Sequence, residues 1–296
     1  MTLGLDISDG RARAVVVDDR EHVVGRGEES LTAAATLDGV SGAVRQAVAA
    51  LKSGVTRAAI VVPHSGDPVP AAVEQACRKL LPKAGPPMAV ATGVATVVAE
   101  QWCGAARGLT NVVALTAADH VTSGIMLEGR IWPGAHGLSG AVGWLSINPV
   151  EREDYRRLGG LEADVSSAGI VRRFIWRIKS GDESVVAQQQ GDLSRITVDH
   201  VFQGARTGDG VSVSVVRDTA KYLGIAASNL AAILDPQAIV LGGLIASWRD
   251  LLLEPIRLEC ARRLNTAQAE RLKLLPSELA RDAAAIGAAR LAYLRE

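Results

Sequence analysis

Cysteine is scarce in this chain of 296 residues: there are three, Cys77, Cys103 and Cys260. They lie far apart, and no two have the spacing of a zinc finger or a redox CxxC pair. An odd, sparse set argues against a disulfide framework and fits a reducing compartment. Net charge is also missing, since Lys+Arg and Asp+Glu number 32 each. That removes the bulk attraction to nucleic acid or to an anionic membrane surface. Charges interrupt every apolar stretch well before the ~18 residues that a membrane span needs. The opening "MTLGLDIS" has no basic region followed by an apolar core, so no signal peptide is expected. These absences predict a cytoplasmic protein with no membrane contact.

What is present has an ordinary globular balance, 48% hydrophobic and 22% charged, with length enough for two domains. The chain opens as strand, turn, strand, strand: "TLGLDIS", a "DG" turn, "RARAVVVDD" and "EHVVGRGEES". In "TLDGVSGAVRQAVAALKSG", Leu37, Val40, Val44, Ala47, Val48 and Leu51 recur at helical spacing, and Gly54 stops the run. "AAIVVP" and "PMAVAT" read as strands on either side of a helix over 70–81, and "GVATVVAEQWCGAA" reads as a further helix. The theme then repeats. "NVVALTAADHVTSGIMLEGRIW" forms two strands around a polar turn, and helical stretches follow around 164–180, in "TVDHVFQGARTGDG" and in "VSVSVVRDTAKYLGIAASNLAAIL". "PQAIVLGGLIA" is a buried strand running into a Gly-Gly turn, and "ARDAAAIGAARLAYLRE" is a closing helix of small residues. Two α/β lobes are the economical reading.

In order and spacing, the blocks "GIMLEGRIWPGAHGLSGAVGW", "VFQGARTGDG…AKYLGIAASNLAAILDPQAIVLGG" and "ARDAAAIGAA" resemble the ROK family of sugar kinases and related repressors. The resemblance implies an α/β, two-lobed actin-like ATPase (ribonuclease H-like) fold, each lobe a mixed sheet with helices. It divides the chain into 1–104 and 105–280, with the C-terminal helix 281–296 packing back on the first lobe. It further implies two phosphate-binding turns for ATP, a carboxylate as general base, a polar sugar loop and a zinc site.

Each of these parts is altered. The first phosphate turn, Asp-Ile-Gly-Gly-Thr-Lys in the family, is "DISDGR" here. Asp6 is kept and could orient a magnesium-bound water. Ser8, Asp9, Gly10 and Arg11 replace the rest, and Asp9 adds negative charge where a phosphate should sit. The plain alternative is a polar hairpin turn. In the second turn, "ADHVTSG", Val121 and Gly124 are kept, and Asp119 stands where a hydroxyl would donate to phosphate. An aspartate pair also suits a bound Mg²⁺ or Ca²⁺, although neither turn has a loop-type ligand pattern. Thr92 occupies the place of the base, so no catalytic residue is intact. A threonine hydroxyl is a poor base near neutral pH, and Thr92 reads as a helix N-cap. Glu100 lies about 12 Å further along that helix. His64 reads as a solvated turn residue, and the segment from Pro63 to Thr92 is shorter than the family's sugar loop.

The family's Gly-Glu-Ile-Gly-His is Gly140, Ala141, Val142, Gly143, Trp144 here. The glycines remain, while the carboxylate and the imidazole are gone. Gly160 stands where a cysteine would, so no zinc is expected. Glu162 is the surviving sugar-contacting carboxylate, or else a charge favourable to a helix start. Gly140 and Trp144 complete the expected substrate set. Trp132 and Trp144 either stack on a ligand or fill the vacated volume. Gly208, Gly242 and Gly243 match nucleotide-facing turns.

The expectation is therefore a ROK-like protein without catalysis, with a small sugar-like ligand or a regulatory role. ATP and Mg²⁺ enter only for the alternative of an active hexose or N-acetylhexosamine kinase. A regulator is the second alternative, although no helix-turn-helix pattern stands before the first strand, and no direct nucleic-acid contact is expected. A homodimer is expected through Gly224, Ala227 and Ala231.

Overall fold

The computed structural model describes residues 1–32, 36–51 and 54–294. Lys52 and Ser53, at the end of the expected first helix, and the last two residues of the expected C-terminal helix lie outside the described residues. The first part of the chain forms β1 (Thr2–Ser8), β2 (Arg11–Val17), β3 (Val23–Ser30), α1 (Thr36–Val48), β4 (Arg57–Val62), α2 (Ala71–Leu80), β5 (Met88–Ala91) and α3 (Thr92–Cys103). Next come β6 (Val112–Ala117), β7 (Val121–Leu127) and β8 (Arg130–Ile131). Then follow α4 (Glu153–Leu158), α5 (Gly160–Val165), α6 (Ser167–Lys179), α7 (Val185–Gln190), α8 (Val198–Arg206) and α9 (Gly210–Leu234). The chain closes with β9 (Ala238–Gly243), α10 (Leu244–Ser247), α11 (Arg249–Ala261), α12 (Thr266–Arg271), β10 (Lys273–Pro276) and α13 (Ala283–Leu294). No described helix is long and apolar enough to cross a membrane.

The chain divides into two units, and neither is continuous in sequence. Unit 1 comprises Met1–Ala114, Thr122–Gly140 and Ser277–Glu296; unit 2 comprises Leu115–Val121 and Ala141–Pro276.

Unit 1 is built on a mixed sheet of order β3-β2-β1-β4-β5. The three-strand meander is antiparallel, and β4 and β5 add to it in parallel. Period-2 alternation sorts the side chains. Leu3, Leu5, Ala12, Ala14 and Val16 pack with Val40, Ala43, Val44, Val73 and Cys77 of α1 and α2. Val15 and Val17 point the other way, into a cluster with Ala99, Ala285, Ile286 and Ala289. Gly4 alternates with Leu3 and Leu5 on this second face. A Cβ there would lie 2.0 Å from the Ala285 carbonyl oxygen, so the absent side chain lets α13 rest on β1.

The second sheet has the order β10-β9-β6-β7-β8. The sequence predicted two strands in 111–132, whereas the structure has a third. Glu128 and Gly129, at φ +52° and +74°, turn the chain between β7 and β8. Unit 2 is mainly helical. Its long helix α9 starts at Asp209, whose carboxylate accepts the Ser212 N–H, and ends at Asp235 in the left-handed conformation. The sequence reading did not give α4, α7, α11, α12 or β10.

Candidate functional site

In unit 1, "DISDGR" makes a two-residue hairpin. Ser8 pairs with Arg11, and the two central residues, Asp9 and Gly10, have φ +52° and +65°. Left-handed conformation at both marks the tight hairpin turn that Asp-Gly favours. The register sets Asp6 opposite Arg13 and Arg13 opposite Glu28, a row across three strands. Asp6 Oδ2 accepts the Ser8 hydroxyl at 2.8 Å and lies 3.5 Å from Arg13 Nη1. Arg13 Nε is 3.6 Å from Glu28 Oε1, which also accepts from Arg11 Nη1 at 2.8 Å. Burial pushes the Asp6 carboxyl up to about 6, while Ser8 and Arg13 pull against that rise. The sequence reading missed Arg13. Its signal was a second cation, two residues after Arg11, in a strand whose other residues are Ala and Val. Mg²⁺ needs near-octahedral oxygen ligands; at Asp6 it would meet a guanidinium, so the residues present do not fit the ion.

Thr92, Gly124 and Gly140 come together in the same unit. Thr92 is the first residue of α3, and its hydroxyl donates to the Val62 carbonyl at 3.1 Å. It is not the N-cap. That position belongs to Ala91, whose backbone is still extended and whose methyl offers no cap; Thr92 is already inside the helix, and its hydroxyl turns to the end of β4 instead. A Cβ on Gly124 would lie 2.0 Å from the Gly93 carbonyl oxygen, and one on Gly140 2.0 Å from that of Ser123. Gly140, at φ +83°, is needed for this close approach. Glu100 is fully buried and committed elsewhere. It accepts the backbone N–H of Ala105 and Leu279 and the Ser277 hydroxyl. His64 is half-buried and opens a turn whose Asp67 carboxylate accepts its N–H.

In unit 2, Val142–Trp144 forms one turn of 3-10 helix. Glu162 is in the first turn of α5. It accepts the Val121 N–H at 2.9 Å, and His120 Nδ1 lies 3.3 Å from its other oxygen. A Cβ on Gly143 would lie 3.1 Å from Glu162 Oε2, so the kept glycine and the kept glutamate touch. Gly159 is at φ +89°, and a Cβ there would lie 2.4 Å from the Gly143 carbonyl oxygen, so glycine is required for the two loops to meet. Trp144 and Trp132 are 57% and 45% exposed, which corrects the expectation that they fill vacated volume.

The family's zinc loop is closed here by other means. A Cβ at Gly160 would lie 2.8 Å from the Leu145 carbonyl oxygen, so a cysteine does not fit at that position. Tyr155 donates its hydroxyl to buried Asp164 at 2.7 Å, and Arg172 pairs with Asp154 at 3.3 Å. Burial and the Asp164 hydrogen bond push the Tyr155 phenol up to about 12. The residues present do not fit zinc in this loop.

Gly208, at φ +87°, precedes Asp209 at the start of α9. Burial alone would raise the Asp209 carboxyl, but hydrogen bonds from Ser212, Ser184 and Val185 hold it low. Gly242 and Gly243 end β9 against β6: a Cβ would lie 3.0 Å from Thr116 Oγ1 and 2.2 Å from the Ala117 carbonyl oxygen. The small-residue face of α9 is internal. A Cβ on Gly224 would lie 2.5 Å from Glu259 Cβ of α11, and Ala227 and Ala231 are buried. The sequence motive for a dimer through these residues is thereby withdrawn.

A model of the ROK family matches residues 74–294. A glucokinase of Halalkalibacterium halodurans is 34% identical over 160 residues, 53% of this chain and 48% of that protein. A xylose repressor of Caldicellulosiruptor bescii is 26% identical over 196 residues, 65% of this chain and 48% of that protein. The chain thus spans about half the length of these curated relatives. The crystal structure of a ROK family glucokinase from Streptomyces griseus, in complex with glucose and AMPPNP, superposes with a TM-score of 0.80. The two are 23% identical, with 99% of each chain covered.

Proposed function

The chain belongs to the ROK family, and on that premise we propose a sugar-kinase-like protein that has lost phosphoryl transfer and serves in ligand binding or regulation. The observation that carries the proposal is Thr92. At the position of the family's general base stands a hydroxyl whose proton is already donated to the Val62 carbonyl. It has no carboxylate to offer a sugar hydroxyl, and loss of a positioned base costs about 10²- to 10⁴-fold. The first phosphate turn supports the same reading, since Asp6 there is paired with Arg13.

The turn-forming glycines Gly140, Gly143 and Gly159 are kept, and Glu162 stays buried beside Gly143. Retained shape without reactive groups suits a site that binds a small sugar-like ligand without converting it. Relatives include xylose repressors as well as glucokinases, which supports a regulatory role. No zinc is expected in the loop around Gly160.

A coupled assay of common hexoses and N-acetylhexosamines with Mg-ATP tests the proposal. The expected result is no turnover above the protein-free background. Turnover on the order of 1 per second, the lower end of ordinary enzyme rates, would overturn it.

A further inference from the structure

The row Asp6, Arg13, Glu28 is closed to solvent at its centre: the Asp6 and Arg13 side chains are 5% and 2% exposed. Strand alternation puts Ser8 and Arg11 on the same face. The row therefore holds two carboxylates, Asp6 and Glu28, and two guanidiniums, Arg11 and Arg13, linked at 2.8–3.6 Å. Its charge balances without any ion. Arg13 Nε and Nη2 are buried and make no hydrogen bond. A buried guanidinium with unmade hydrogen bonds is costly; beyond one long bond from Nη1 to the Ser8 hydroxyl at 3.4 Å, what faces Arg13 is charge, Asp6 on one side and Glu28 on the other.

We infer that Arg13 is a built-in counterion that excludes a divalent cation from Asp6. The inference rests on reading "DISDGR" as the family's first phosphate turn. A dication bound at about 2.1 Å from Asp6 Oδ2 would lie within a few ångströms of the guanidinium, in surroundings that screen repulsion poorly. The Ser8 hydroxyl occupies the same carboxylate oxygen. Either the ion or the arginine can neutralise Asp6, and the sequence supplies the arginine.

Mn²⁺ is the probe, because its free form is counted directly by electron paramagnetic resonance. The full chain is titrated as wild type, Asp6→Asn, Arg13→Gln, Arg13→Met and Arg13→Gln/Asp6→Asn, with circular dichroism to check folding. Wild type and Asp6→Asn are expected to give the same isotherm. Arg13→Gln and Arg13→Met are expected to gain one site at least tenfold tighter than any in the wild type, and the double variant to lose it. A wild-type site that disappears in Asp6→Asn overturns the inference. So does a folded Arg13 variant that gains nothing. If neither Arg13 variant folds, the comparison of wild type with Asp6→Asn decides alone. Asp6-dependent Mn²⁺ binding without turnover sinks this inference and leaves the proposed loss of catalysis intact; turnover without such binding does the reverse.

Discussion

Burial lifts the Asp6 carboxyl to about 6 from the ordinary 3.8, with the Ser8 hydrogen bond and the Arg13 charge opposing the rise. The folded state thus holds the Asp6 proton more tightly than the unfolded chain does. The stability this confers is fully present below about pH 4 and is lost as pH rises through about 6. The displacement corresponds to on the order of 3 kcal/mol. Asp6→Asn removes the titration. In urea unfolding at pH 4 and pH 7, the wild type should therefore lose about that much stability relative to the variant as pH rises. A difference between the two that stays constant with pH would contradict the assignment. At this scale the sequence is informative about identity and blind to partnership. Asp6, Ser8, Arg11 and Glu162 can be singled out in the sequence because the turns around them keep the family's spacing, but their contacts cannot. Arg13 is not, because a charged residue in a strand ordinarily faces water, and only the pairing of three strands sets it between Asp6 and Glu28. The closeness of Gly160 to the Leu145 carbonyl is equally invisible, since it depends on two loops meeting.

Among the elements, the meander and its Asp-Gly turn, the strand β4, the long helix α9 and the closing helix α13 all follow from local pattern. Helix α11 escapes it because Pro255 lies in its interior, and proline there normally breaks a helix. Strand β10 is four residues long with one buried position, too little for alternation to be seen. The packing of α13 depends on glycine. A Cβ on Gly287 would lie 1.8 Å from the Ala95 carbonyl oxygen of α3, a backbone atom that cannot swing aside. Overpacking of this kind costs about 1–3 kcal/mol, so Gly287→Ala should lower stability in urea by about 2 kcal/mol or more. Gly210→Ala is the control. It sits at the start of α9 with nothing within 4 Å of the new Cβ, and its effect should stay under about 1 kcal/mol. Equal effects from the two would mean that α3 and α13 are not held this closely.

For the whole molecule, the order of elements predicted a two-lobed α/β fold, and the structure has two mixed sheets with helices. The unit boundaries are harder to read, because residues 122–140 belong with unit 1 while 115–121 belong with unit 2. No local composition marks such a crossing; it follows from strand pairing at a distance. Function depends on several parts at once, and that gives the sharpest test of the proposed loss of catalysis. If the general base alone were missing, Thr92→Asp should raise phosphoryl transfer by about 10²- to 10⁴-fold. It is expected to raise it not at all. The substitution itself is tolerable, since a carboxylate in the first turn of α3 is favourable to the helix dipole and offsets loss of the hydrogen bond to Val62. What remains wrong lies elsewhere. Asp6 is still paired with Arg13, and Asp9 still adds a negative charge at the turn where phosphate would bind, raising binding and transition-state energies together. The short segment between Pro63 and Thr92 still has to hold a sugar hydroxyl in line, and positioning accounts for several kcal/mol of a barrier. The variant should therefore fold, as judged by its circular dichroism and melting transition, and show the wild-type background in the coupled assay with Mg-ATP. A folded Thr92→Asp protein that phosphorylates any common hexose a hundredfold above that background would mean that the phosphate turns work, and that the protein is a kinase short of one residue.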